Sequence, residues 1–328
     1  MIPQKPPKTP GPLGPDGLPE KQDGEQFVIE RSSDPLQLLS NILEVSGILA
    51  SQWGEETFLH LRVAALWARI GKKQQAIDYL SMLASAHAAD AFNLGQDGVK
   101  FRIDLMRYFL TQIGIDEASV PLIVARKADN TSKMPAWLRK SVSRILPGLD
   151  STASLLNSDE EQAVRDIVRP PMSWLELIYL TPLPGDCRGV LAQQLQAISE
   201  YGEPHDVEQR IYQLLDHARM WHERQSDTPI WVHDLDDIGP RVIYLAVTIS
   251  RPDVIIAYLE RCIDALNERP LALMPNVGTA VGGLAYCAKQ LRRDDLLHRA
   301  LDVLPRFPEH ERCIAALTLV EVLVERSR

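Results

Sequence analysis

Cysteine is scarce in this chain, and its spacing removes two common readings. Cys187, Cys262, Cys287 and Cys313 are the only four, and no two stand at a CxxC spacing. Neither a zinc knuckle nor a thioredoxin-type dithiol is indicated. Three of them sit among apolar residues of predicted helices, where a free thiol packs as a small hydrophobe. Unpaired buried thiols fit a reducing compartment, so the expected location is cytoplasmic. Positive charge is also in deficit, with 35 Lys and Arg against 44 Asp and Glu, a net charge of −9. A chain this acidic lacks the field that holds a phosphate backbone, which argues against nucleic acid as a partner. Its short basic pairs, Lys72-Lys73 and Arg292-Arg293, read as solvated helix turns. Long apolar runs are missing too. Nothing approaches the ~20 apolar residues of a membrane span. Residues Ile238 to Ile249 carry Arg241 and are too short, and Met1 to Gln26 hold no apolar segment of a secretory signal.

Aromatics are few, at 6%, while Leu, Ala and Ile dominate, a balance that favours helices over sheets. Hydrophobic residues still make up 45%, enough for a folded core. A length of 328 residues suggests about two domains, unless the chain is a repeat array that grows without enlarging one core.

What is abundant at the start is proline. Pro3, Pro6, Pro7, Pro10, Pro12, Pro15 and Pro19 all fall within the first nineteen positions. Such a run populates polyproline II and cannot enter a helix or sheet interior. Three PxxP spacings (Pro3/Pro6, Pro7/Pro10 and Pro12/Pro15), with Lys5 and Lys8 alongside, suit docking to an aromatic groove. Composition alone favours a plain disordered leader over a specific ligand. The organisation expected is a Pro-rich tail over 1–32, an N-terminal helical domain over 33–149 and a C-terminal helical domain over 150–328 that continues the stack.

From Ser33 the apolar period is helical. Ser33-Asp34-Pro35 combines a capping side chain with a first-turn proline, and Leu38, Ile42, Val45 and Leu49 then share one face. Leu59, Val63, Leu66, Trp67 and Ile70 form a second helix stopped by Gly71, and Ala76, Ile77, Leu80, Leu83 and Ala84 a third. Two helices joined that tightly lie antiparallel. Ile103, Met106, Leu110 and Ile113 form a face ending at Gly114. Prolines then break the chain into short helices as far as Pro184, with Asp150 to Asn157 as the expected boundary. Helical faces resume at Leu191, Leu195, Ile198 and at Val207, Ile211, Leu214. They continue at Ile255, Leu259, Ile263; Val281, Leu284, Ala288; Leu297, Ala300, Leu304; and Cys313, Leu317, Val320. No run alternates with period two over strand length. The expected fold is all-α, with antiparallel helix pairs stacked as an α-solenoid or an irregular helical-repeat domain.

Ala64, Gly71 and Ala76 are small residues interspersed with the bulky Trp67, Leu80 and Leu83. On these residues the segment 61–84 resembles a tetratricopeptide-type helical hairpin. Echoes of its second helix run from Ile255-Ile256-Ala257-Tyr258-Leu259 to 266, and from Leu296-Leu297-His298-Arg299-Ala300 to 304. The last two start 41 residues apart, longer than the family's 34-residue period. The resemblance implies a stack of helix pairs whose surface binds another protein.

The sharpest polar cluster is His233-Asp234-Leu235-Asp236-Asp237. An imidazole and three carboxylates at His233, Asp234, Asp236 and Asp237 suit a divalent cation. The cluster lacks the Gly and distal Glu of a calcium loop, and acidic residues also belong at a helix start, so a capping loop is the favoured reading. His217 and His222 miss the i, i+4 spacing of a helical metal pair. Glu160 and Glu161 read as first-turn residues, and Gly278, Gly282 and Gly283 as sites of close helix packing. No catalytic residue, cofactor or metal is expected. The function expected is a non-catalytic scaffold that holds one or more protein partners within a larger assembly. The alternative is an all-α metal-dependent enzyme or ligand-binding domain using the His233–Asp237 loop.

Overall fold

The computed structural model describes residues 29–51, 57–89, 91–115, 154–180, 209, 230–268 and 277–325. Among these the chain is all-α, with eleven α-helices, one short 3₁₀ turn and no strand. The N-terminal helices are α1 (Pro35–Ser51), α2 (Thr57–Arg69), α3 (Lys73–Ala89) and α4 (Ala91–Gln112). Two shorter ones follow, α5 (Ser158–Val168) and α6 (Trp174–Leu180). The C-terminal helices are α7 (Ile230–Thr248), α8 (Pro252–Glu268), α9 (Val277–Leu291), α10 (Asp294–Val303) and α11 (Glu309–Val324).

Helix starts follow local chemistry. Asp34 Oδ1 accepts from Leu36 N at 3.0 Å, capping α1 as the Ser33-Asp34-Pro35 signal predicts. Asn157 caps α5 by accepting from Asp159 N and Glu160 N, and Glu160 reaches back to Asn157 N at 2.6 Å. This is a full capping box, and Asp159, Glu160 and Glu161 all fall in the first turn, as expected.

Four helix ends share one geometry. Gly71 (φ 84°) closes α2, with Gly71 N donating to Ala68 O and Lys72 N to Trp67 O. Gly114 (φ 75°) closes α4 the same way through Thr111 O and Leu110 O. These paired bonds turn a chain through the left-handed region and satisfy carbonyls at the helix end. Ser250 (φ 54°) repeats the turn between α7 and α8, and Arg292 (φ 53°) between α9 and α10, although neither is glycine. Aligned on these turns, Ala76 falls opposite Ile255 and Leu297.

Neighbouring helices pack in pairs along the chain: α1 on α2, α2 on α3, α3 on α4, α7 on α8, α8 on α9 and α9 on α10. The small residues Ala64 and Ala76 are fully buried, together with Leu61, Leu66 and Leu80. Gly47 of α1 lets the Tyr79 ring of α3 approach, and the Tyr79 hydroxyl meets His60 Nδ1 of α2. Helix α9 is approached from several sides. A Cβ at Gly282 would meet the Trp174 ring at 2.6 Å and Thr318 Cγ2 at 2.9 Å, and one at Gly283 would meet Ile243 Cγ2 at 2.7 Å. The glycine spacing therefore reflects close packing.

The last helix returns to the first. α11 packs on α9 and also on α1 and α2. Cys313 Sγ donates to Ser46 O at 3.5 Å, and among the described residues one core cluster includes buried side chains from Leu38 to Val322. α5 packs on α4 and α2, and α6 on α7, so the short helices are divided between the two ends of the chain. Asp104 takes Lys100 Nζ at 2.7 Å and Leu155 N at 3.0 Å, which ties residues 154–157 to α4.

Candidate functional site

Three helix ends meet at a cleft of about 480 Å³. Ala65, Ala68 and Arg69 come from the last turns of α2, and Thr111, Gln112, Ile113 and Gly114 from the end of α4. Val168 and Arg169 come from the end of α5, and Lys73 from the start of α3. Arg69 donates from Nη2 to Ile167 O and, at 3.4 Å, to Val168 O, so its guanidinium closes the end of α5. Lys73 Nζ donates to Ile113 O at 3.0 Å, just past the end of α4. Arg169 is exposed.

These bonds leave the charges in place, because a backbone carbonyl accepts a hydrogen bond without neutralising the cation. No carboxylate lines the cleft among the described residues. Burial, helped by the nearby Arg62 charge, lowers the Arg69 guanidinium below its ordinary value against the opposing pull of Glu321 and Glu325. Both carboxylates are engaged elsewhere. Glu321 takes Arg62, and Glu325 Oε1 accepts from Trp174 N at 3.0 Å.

Sequence reasoning missed this cleft and gave part of it another role. Lys72 and Lys73 are more than a solvated turn: Lys72 Nζ donates to Ser40 Oγ at 2.7 Å and lies 5.7 Å from the Trp67 ring centre, while Lys73 ties α3 to the end of α4. Arg292-Arg293 is a solvated turn, as expected: both residues are exposed, Arg292 occupies the left-handed turn and Arg293 pairs with Asp295 at 2.5 Å. The one local signal for the cleft was a cation in the last turn of α2, beside Gly71.

His233, Asp234, Asp236 and Asp237 stand elsewhere than expected. The backbone places them inside α7, which begins at Ile230, and not in a loop before a helix. They lie mostly beyond the first turn, where the helix dipole has faded, so the capping role is withdrawn. Their side chains lie outside the described residues. Gly239 and Pro240 are buried within the same helix. A Cβ at Gly239 would clash with Tyr258 of α8, so the glycine serves helix packing there. The proline spacings at Pro3, Pro6, Pro7, Pro10, Pro12 and Pro15 lie outside the described residues, as do His217, His222, Cys187 and the helical faces expected over 191–218. Cys262, Cys287 and Cys313 are buried thiols outside any disulfide. Among the described residues no three His, Cys, Asp or Glu side chains converge as a metal site, and no helix is long and apolar enough to cross a membrane.

Compared with known proteins, the chain matches no protein-family model, no curated protein and no solved structure.

Proposed function

We propose that this chain is a non-catalytic interaction protein, a subunit that holds a protein partner on the surface of its packed helix pairs. The supporting observation is the cleft at the ends of α2, α4 and α5. Its polar groups are two guanidiniums, an ammonium, an amide and a hydroxyl, a set suited to holding a ligand. An acid–base pair with separated environments, which hydrolytic or proton-transfer chemistry uses, is not among them. The tetratricopeptide-like register of Ala64, Gly71 and Ala76 supports the same reading. The Pro-rich segment supplies a second, linear contact. Three buried thiols outside any disulfide support a cytoplasmic setting.

The test pairs two measurements. The full chain and a form lacking residues 1–26 are used as baits, and each candidate partner is confirmed by titration of purified proteins. A direct complex that weakens on truncation is the expected result. In parallel, magnesium, manganese, calcium and zinc are added during thermal unfolding. A metal-dependent rise in melting temperature, abolished by Asp236→Ala with Asp237→Ala, would replace this reading with the metal-dependent enzyme.

A further inference from the structure

We propose that the cleft between the ends of α2, α4 and α5 is a binding site for a small organic phosphate, with its dianionic head among Arg69, Lys73 and Arg169. The inference rests on the same reading of this cleft as a ligand-holding site, and its test is small-molecule binding, which the partner titration does not read.

The charge balance favours an anion. Three formal positive charges line the cleft. Each of three helix C-termini sets about half a negative charge against them, and the N-terminus of α3 at Lys73 returns about half a positive one. About two positive charges remain, in a chain whose net charge is −9. The match is to a dianion, because a single carboxylate would leave about one charge uncompensated. Donors are also in place. Arg69 uses one terminal nitrogen for Ile167 O and Val168 O, and Lys73 one proton for Ile113 O, which leaves further N–H groups on both. Among the described residues the Arg169 side chain holds no helix end. Thr111 and Gln112 add neutral donors at the same wall.

The body of the ligand follows from the other lining. Ala65, Ala68, Ile113 and Val168 form an apolar wall, and about 480 Å³ accommodates a ring or short chain beside the phosphate. Ala65 is 2% exposed, so this wall is backed by the core. An inorganic ion alone would leave that surface wet.

The experiment titrates phenyl phosphate into the full-length protein by calorimetry at low ionic strength, with benzoate and phenol as controls. Saturable one-to-one binding of phenyl phosphate is expected, with benzoate weaker by about tenfold and phenol silent. Arg169→Glu reverses the charge at an exposed position, and Ala68→Phe fills the apolar wall. Each is expected to weaken phenyl phosphate by about tenfold or more with an unchanged melting temperature. The absence of saturable binding to folded protein overturns the proposal, as does equal affinity in Arg169→Glu and wild type. Benzoate binding as tightly as phenyl phosphate overturns the phosphate assignment.

Discussion

Arg62 of α2 and Glu321 of α11 form a two-pronged pair, Nε to Oε1 at 2.5 Å and Nη2 to Oε2 at 2.6 Å, across 259 residues of sequence. Thr318 Oγ1 accepts a further bond from Arg62 Nη2 at 3.1 Å. The side chains are 28% and 24% exposed, so solvent screens the pair only in part. Burial pulls the Arg62 pKa down, and the Glu321 bond and charge outweigh it, leaving the guanidinium above its ordinary value. The pair fastens the last helix onto the second. Glu321→Gln is expected to lower stability by about 1–3 kcal/mol, and Arg62→Met by a similar amount. A double-mutant cycle in urea checks it, and additive losses would mean that the two side chains do not interact.

The four helix ends at Gly71, Gly114, Ser250 and Arg292 share one left-handed turn but not one residue type. Glycine enters that region without a Cβ penalty, whereas other residues lose roughly 1–2 kcal/mol there. Ser250→Gly and Arg292→Gly are therefore expected to stabilise the protein by about 0.5–1 kcal/mol each. Gly71→Ala and Gly114→Ala should destabilise it by about 1 kcal/mol. Chemical denaturation of the four variants reads the two opposite signs directly.

That contrast also shows what the sequence makes legible. Gly71 and Gly114 announce helix ends because glycine is the residue that most easily takes positive φ. Ser250 and Arg292 make the same turn without any such signal, since packing of the flanking helices dictates it. Asp34, Glu160 and the helical faces were readable because capping and periodicity are local. The cleft was not, because its parts meet only in the fold: Arg69 and Ile167 lie 98 residues apart. The His233–Asp237 cluster was misplaced because acidic residues favour a helix start, whereas the chain is already helical from Ile230. No local pattern announces that α11 returns to α1.

Small residues at helix crossings reverse a familiar sign. In an exposed helix, Gly→Ala gains about 1 kcal/mol. At Gly282 the added methyl would strike Trp174 at 2.6 Å and Thr318 at 2.9 Å, and both neighbours are themselves packed. Gly282→Ala should therefore cost about 1–3 kcal/mol, and Ala76→Leu a similar amount at its fully buried site. Melting temperatures of both, against Gly98→Ala as a control whose new Cβ would lie 3.6 Å from Leu94, decide the point. A gain at Gly282 would show that α9 does not approach Trp174 and α11 as described.

The buried thiol at Cys287 couples stability to alkaline pH. It is 1% exposed in α9, and burial pushes its pKa up from 9.0 to about 11. The folded protein therefore holds this proton more tightly than the unfolded chain does, so its contribution is complete below the unfolded value. That contribution is lost as pH rises from about 9 towards 11. The loss is on the order of 2 kcal/mol. Tyr79, also raised by burial, adds to the decline with the same sign above pH 10. Cys287→Ala leaves a small cavity whose cost does not vary with pH, so this variant should unfold with a shallower pH dependence across that window. Urea unfolding at pH 8, 9 and 10 measures the slope for both proteins. Iodoacetamide gives a second reading, because a protonated, buried sulfur is a poor nucleophile. Cys287 should react at pH 8 only as fast as the chain opens, and prompt alkylation of the folded protein would contradict its burial.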